Sequence, residues 1–269
     1  MDYKSIVVEV DGDPGCRDRL RVAALLAFTF GAHLTGITTT GISLGRVRGI
    51  EDPARCDLLT LERRRAHAHV HATLMRDMVA ETGHAVSWSH EMIEDDPVRA
   101  LSRQGCMADV LLLAQRAPWT GVPPIVADVV ETILLNCGRP AIVMPPSATT
   151  LTGGHAMIAW NDSTEAARAV ADSLPLLARA SQVTVAATDD MSGMADLFHY
   201  LRCHGIEASP YRLAPESDPA EALLRAVRAS TAGMLIAGCY GHARVRELMF
   251  GGTTRSLLQH ASVPLLMSH

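Results

Sequence analysis

The 269-residue chain runs one programme of apolar strands and amphipathic helices twice, and this duplication limits the folds open to it more than any other feature. Ile6-Val7-Val8-Glu9-Val10-Asp11-Gly12-Asp13 and Met157-Ile158-Ala159-Trp160-Asn161-Asp162-Ser163 each read as an apolar strand that runs into a polar turn. An Ala/Arg/Leu-rich helix follows each, over residues 17–30 and 164–180, and then a second strand, over 33–38 and 182–188. Asp96-Pro97-Val98-Arg99-Ala100-Leu101 matches Asp218-Pro219-Ala220-Glu221-Ala222-Leu223. Both read as helix starts with proline in the first turn, where its missing N–H has no intrahelical partner to lose. Strands over 109–114 and 233–237 come next, and Arg139-Pro140-Ala141-Ile142-Val143-Met144 matches Val263-Pro264-Leu265-Leu266-Met267 at the end. Short apolar strands that alternate with amphipathic helices pair in parallel through crossovers, so each half predicts a doubly wound α/β unit.

Over residues 145–154 proline, small polar residues and glycine replace the periodic pattern, which divides the chain into domains 1–147 and 152–269. Residues 40–66 read as a Gly- and Arg-rich insertion leading into a long helix over 58–81. An apolar content of 48% with 20% charged residues describes a globular chain and excludes extended disorder. A net charge of −5 without a dense Lys/Arg run argues against a nucleic-acid partner. The first ten residues lack a secretory pattern and no window approaches a membrane-spanning run, so a cytoplasmic protein without a membrane partner is expected. Six cysteines without a C-x-x-C spacing fit reduced thiols.

Chemistry concentrates in residues 235–256. Gly238, Gly241 and Gly251 are spaced G-x2-G-x9-G between a buried strand at 234–237 and the opening of a helix at 253–259. Glycine lets the main chain come within hydrogen-bonding distance of an anion, and a helix start adds unpaired N–H donors. The same glycines also suit a tight strand-to-helix turn. The strand, the glycine spacing and the closing strand resemble the end of a universal stress protein domain, whose nucleotide-binding members place Ser or Thr after the last glycine. Here Gly252 stands at that place, and hydroxyls follow at Thr253 and Thr254.

The resemblance covers nearly all of the chain and implies a tandem universal stress protein. It implies two Rossmann-like (HUP-type) α/β sandwiches with mainly parallel five-stranded sheets, whose last strands, 141–144 and 265–267, pair across a pseudo-twofold axis into an intramolecular pseudo-dimer. It implies ATP or AMP as ligand in the second half, with Mg accompanying ATP. Gly238, Gly241, Gly251, Gly252 and Thr253 would supply backbone donors, Thr254 a hydroxyl, and Asn161 a contact to adenosine. Ala159, Trp160, Thr188 and Tyr240 complete the nucleotide-contacting set. In the first half, aligning the fourth strands sets Gln115 opposite Gly238, Pro118 opposite Gly241, and Val126-Ala127-Asp128-Val129 opposite Gly251, so that cradle reads as degenerate. Asp11 stands where nucleotide-binding members keep an aspartate, and Asn161 takes that place in the second half.

Other constellations weigh less. His67 and His71 would share one helix face, but no carboxylate or cysteine follows at that spacing, and His69 points elsewhere, which favours a solvated face over a metal site. Ser163 reads as the N-cap of the helix from Thr164, and Trp160 as a packing residue. Arg244, Arg246 and Arg255 lie in or just after the glycine loop and suit either phosphates or an ordinary charged surface. Trp119, Pro123 and Pro124 would line an apolar pocket in the first half. No Walker lysine follows the glycines and no carboxylate pair is set to hold magnesium, which argues for a binding protein over a turnover enzyme. The expected function is a nucleotide-dependent sensor or regulator in stress response, with unidentified protein partners and further homodimerisation open. The rivals are a nucleotide-free interaction scaffold and a weak ATPase, for which Asp162 and Asp189 are the only nearby carboxylates.

Overall fold

Apolar runs at β1 (Ser5–Glu9), β4 (Val110–Ala114) and β5 (Ala141–Met144) are buried on both faces, as parallel strands covered by crossover helices must be. The computed structural model describes residues 2–41, 58–116, 129–146, 148, 150–151, 154–187, 194–214, 218–239 and 252–269. Among these, the first half adds α1 (Cys16–Phe30), β2 (His33–Thr39), α2 (Leu58–Glu81), β3 (Ser87–Ile93), α3 (Pro97–Gly105) and α4 (Val129–Cys137). The second half repeats the series as β6 (His155–Ala159), α5 (Thr164–Leu177), β7 (Gln182–Ala187), α6 (Met194–Cys203), β8 (Ala208–Arg212), α7 (Pro219–Ser230), β9 (Met234–Gly238), α8 (Gly252–His260) and β10 (Leu265–Ser268).

The ten strands of the described residues form one sheet in the order β3-β2-β1-β4-β5-β10-β9-β6-β7-β8. Within each half every pairing is parallel; β5 and β10 alone meet antiparallel, with Leu265 opposite Val143, Leu266 opposite Ile142 and Met267 opposite Ala141. This is the pseudo-twofold junction that the family resemblance implies. One core packs α1, α2, α5 and α6 against one face of the sheet, and a second packs α3, α4, α7 and α8 against the other. Fully buried side chains such as Ile6, Leu34, Leu112, Ile142 and Leu266 each contribute about 1.5–3 kcal/mol of transfer free energy.

Helix starts follow local chemistry. The Asp96 side chain accepts hydrogen bonds from Val98 N and Arg99 N, Asp218 from Ala220 N, and Ser163 from Ala166 N, so all three N-caps are made as the sequence implies. α5 stops at Leu177, short of the expected residue 180. Beyond it Arg179 N bonds Leu176 O and Ala180 N bonds Leu177 O, three-residue spacings that close off the helix. β7 covers 182–187 of the expected 182–188, and residue 188 lies outside the described residues.

The correspondence between halves differs by one residue from the sequence alignment. Gln115 N donates to Met144 O and Cys239 N to Ser268 O, both at 2.9 Å. Val10 N donates to Ile37 O and Trp160 N to Ala186 O, at 2.8 and 2.9 Å. Ala114, not Gln115, is therefore the counterpart of Gly238, and Ile6 corresponds to Ala156 rather than Met157. The strand ladder settles this, because each residue's partner is fixed from both sides.

Candidate functional site

In the second half the chain leaves β6 towards β7 on one side and returns on the other at β9, so the direction of winding switches between β6 and β9. A crevice opens at the carboxyl ends of the strands at such a point, and ligands of open α/β sheets occupy it. Ala159, Trp160 and Asn161 close β6 at that edge, and Gly238 closes β9. α8 joins the parallel strands β9 and β10 and so runs against them, which brings Gly252, Thr253 and Thr254 in its first turn to the same edge. Thr188, Tyr240, Gly241 and Gly251 lie outside the described residues, as do Asp189, Arg244, Arg246, Trp119, Pro123 and Pro124.

Asn161 is exposed, and its Oδ1 accepts from Ser163 Oγ at 2.7 Å while that same Oγ accepts from Ala166 N at 3.1 Å. The helix cap thereby orients Asn161. Between them Asp162 turns the chain at φ 56°, a left-handed conformation that Asp tolerates better than most residues. Trp160 is half-buried and packs against the first core, and its Nε1 is buried without a hydrogen-bond partner. Glu165 Oε2, in the first turn of α5, is also buried and unpartnered. Thr254 is buried and Thr253 half-exposed, so Thr253 carries the more accessible hydroxyl of the two.

The two described glycines of the set answer to different causes. A Cβ on Gly238 would lie 2.5 Å from Ala166 N and from the carbonyl carbon of Glu165. The end of β9 thus passes directly over the first turn of α5, and only glycine permits that approach. A Cβ on Gly252 would meet nothing within 4 Å.

The equivalent crevice of the first half, between β1 and β4, is filled by the chain's own charges. Glu9 is buried; its Oε2 accepts from Ala114 N at 3.0 Å and its Oε1 meets Arg116 Nη2 at 2.5 Å. The fully buried Arg19 donates through Nε to Glu9 O at 3.0 Å and through Nη2 to Asp11 Oδ1 at 2.6 Å. Burial pushes the Glu9 carboxyl above its ordinary range, with Arg116 pulling the other way. Burial also pushes the neighbouring Cys16 thiol up to about 11. Asp11 is thus committed to Arg19 rather than free at the strand end. These positions have counterparts in the second half: Glu9 falls on Ala159 and Asp11 on Asn161. Six of the nine buried positions of α1 (Cys16, Arg19, Leu20, Ala23, Leu26, Ala27) fall on six of the seven buried in α5 (Ala166, Ala169, Val170, Ser173, Leu176, Leu177), so Arg19 falls on Ala169. The sequence reading missed this network; the signals were an acidic residue closing an apolar strand and an arginine on the apolar face of α1.

On α2, His69 is exposed and His71 half-buried, and the His67 side chain lies outside the described set. His71 and His69 lie near enough to His90 on β3 to add to the lowering of its pKa that burial causes. Among the described residues no group of three or more His, Cys, Asp or Glu is arranged to hold a metal ion. No described helix is long and apolar enough to cross a membrane. Arg255, one of the phosphate candidates, faces Glu131 of α4 at 3.8 Å.

Residues 213–269 match the sequence profile of the Universal stress protein family. No curated protein matches the chain by sequence. Among solved structures the chain is similar to a universal stress protein from Archaeoglobus fulgidus DSM 4304, with a TM-score of 0.73 at 14% identity over 98% of this chain and 97% of that one. It is also similar to a functionally unknown protein from Pseudomonas aeruginosa PAO1, with a TM-score of 0.57 at 15% identity over 99% of this chain and 92% of that one. At these identities the likeness is one of fold, and it extends across both halves.

Proposed function

We propose that the chain is a tandem universal stress protein, with domains 1–147 and 152–269, that binds an adenine nucleotide in its second half as a stress-linked sensor or regulator. The observation that carries this reading is the contrast between the two switch-point crevices. The first is occupied by Glu9, Arg116, Arg19 and Asp11, whereas Glu9, Arg19 and Asp11 give way in the second to Ala159, Ala169 and Asn161. In this reading Ala159 and Trp160 flank the base, Asn161 hydrogen-bonds the adenosine, and the first turn of α8 presents N–H groups at Gly252, Thr253 and Thr254 to phosphate. Thr188, Tyr240, Gly241 and Gly251 complete the set. The ligand is ATP or AMP, with Mg accompanying ATP, and the protein acts by its bound state rather than by turnover.

Titration calorimetry with ATP and AMP, with and without Mg, on the wild type and on Gly252→Asp tests it. That substitution has open space around it and places a carboxylate at a helix start, where it favours the fold and opposes a phosphate. Binding by the wild type that weakens at least tenfold in G252D supports the site. A folded wild type that binds neither nucleotide refutes it.

A second reading, a nucleotide-free interaction scaffold, is favoured by Gly238. Its lack of a side chain is already accounted for by the approach to α5, so that glycine alone does not require a ligand.

A further inference from the structure

The junction between the halves carries a charge asymmetry that fixes which half pairs with which. Backbone bonds around it set the residue correspondence: Leu111 N donates to Pro140 O and Leu235 N to Pro264 O, at 3.1 and 2.9 Å. Pro140 is therefore the counterpart of Pro264; α4 ends three residues before its proline and α8 four, and Ala261 N, just past α8, still donates to Leu257 O in the helical pattern, so Ala261 stands where Cys137 ends α4. Ile133 then corresponds to Leu257, Leu134 to Leu258 and Cys137 to Ala261, and all six are buried. By the same count Glu131 is the counterpart of Arg255. Ile142 lies opposite its own counterpart Leu266, so the pseudo-twofold axis passes between them.

Residues beside such an axis meet their counterparts, and Glu131 Oε1 does meet Arg255 Nε, at 3.8 Å. The Glu131 side chain is 1% exposed and that of Arg255 25%. Two first halves joined in this way would bury carboxylate against carboxylate, and two second halves guanidinium against guanidinium. Like charges brought together at an interface are strongly unfavourable, more so when desolvated. A second asymmetry lies alongside. Gln115 Nε2 donates to Ala261 O at 2.8 Å across the junction, whereas the residues in the corresponding places, Cys239 and Cys137, are two buried thiols.

We infer that Glu131 and Arg255 make the junction heterotypic: the first half fits an α/β unit that presents a cation at the position of Arg255 and rejects a second copy of itself. The chain therefore closes on itself, and any association between chains through this face pairs unlike halves.

A charge-reversal cycle in the full chain tests this, with Glu131→Arg, Arg255→Glu and the double substitution compared by urea denaturation and analytical ultracentrifugation. Each single variant places like charges across the axis and should lower the folding constant at least tenfold; the double, with the charges exchanged, should recover most of that loss and remain monomeric. Where a single variant does not fold alone, the two are refolded together. Exchange of halves between E131R and R255E chains restores opposite charges at both junctions, so the mixture should yield folded assemblies that neither chain yields alone. Single variants as stable as the wild type, a double no better than the worse single, or a mixture that recovers nothing would overturn the inference.

Discussion

Gly238→Ala adds one methyl group at the point where β9 crosses the first turn of α5, and its cost follows from the geometry there. The new carbon would stand 2.5 Å from Ala166 N and from Glu165 C, and 2.9 Å from Glu165 Cβ. Non-bonded heavy atoms settle near 3.5–4.0 Å, so strand and helix must separate by about 1 Å. Neither side yields cheaply. The strand is held by its ladder to β6 and β10, and the helix start by the Ser163 cap. Overpacking of this kind costs about 1–3 kcal/mol, and backbone atoms as the obstacle place it at the upper end. Replacing glycine returns about 0.4–1 kcal/mol by restricting the unfolded chain. The net is a destabilisation of about 2 kcal/mol, or roughly 4–8 °C in Tm for a chain of this size. Gly252→Ala is the control: with nothing within 4 Å and a helical backbone it should be neutral or stabilising by up to about 1 kcal/mol. Thermal and urea denaturation without ligand read both. A Gly238→Ala variant as stable as the wild type would refute the close-approach account and return this glycine to the ligand.

Ser163→Ala removes the cap of α5 and the bond to Asn161 Oδ1 together, so urea denaturation should show a loss of about 1 kcal/mol, and any affinity for nucleotide should fall with it. At pH 8 a thiol reagent should label the exposed Cys106 and Cys203 quickly, and Cys16, Cys137 and Cys239 only on unfolding. Burial lifts Cys16 to about 11 and Cys239 to about 12, so the folded chain keeps protons that the unfolded chain releases near 9. The stability from these buried neutral thiols is therefore intact below about pH 9 and is lost as pH rises through 11 and 12, with the buried Tyr3 phenol acting in the same direction. Urea midpoints measured upward from pH 8 should fall, and Cys239→Ala should flatten the slope.

The strands most legible in the sequence are those whose apolar runs are buried on both faces, as in β1, β4, β5, β9 and β10. β3 and β8 do not stand out, because each is an outer strand with a half-exposed surface. Ser87, Ser89 and Glu91 interrupt the one, and Ser209, Pro210 and Arg212 the other. Pro210 is tolerated there since an edge position spares it a ladder bond. The one-residue error in matching β4 to β9 has a similar cause: Gly238 resembles loop and Ala114 resembles strand, yet both close their strands. For the candidate site, the glycine spacing and the Ser163 cap are visible in the sequence, whereas the packing role of Gly238 depends on a helix start more than seventy residues earlier. The Glu131–Arg255 pair escapes sequence reading because its two charges are unremarkable where they stand and meet only in the fold, whereas the Glu9–Arg19–Asp11 network leaves two faint marks, an acid closing an apolar strand and an arginine on an apolar helix face.

That network bears on how two equal backbones came to offer unequal crevices. A buried charge that loses its partner costs several kcal/mol, so Asp11 cannot be removed without leaving the buried Arg19 guanidinium short of its carboxylate, while the buried Glu9 carboxylate depends on Arg116 and the Ala114 N–H. In the second half all three positions are neutral: Ala159 stands for Glu9, Ala169 for Arg19 and Asn161 for Asp11. Arg19 and Asp11 are exchanged together, as the energetics require, and with Glu9 also replaced the second half has small side chains where the first has a carboxylate and a guanidinium. Asn161 alone keeps hydrogen-bonding capacity, and it stands exposed at the strand end, where the first half has a carboxylate already committed to Arg19. A crevice cleared of this network, with the Glu165 carboxyl remaining beneath Gly238 in the first turn of α5, suits a ligand that brings a flat, neutral, hydrogen-bonding group to the strand ends. The first half supplies the matching argument in reverse: with Glu9 already accepting the N–H of Ala114 and holding Arg116, an incoming anion would have to displace a carboxylate that the fold itself provides.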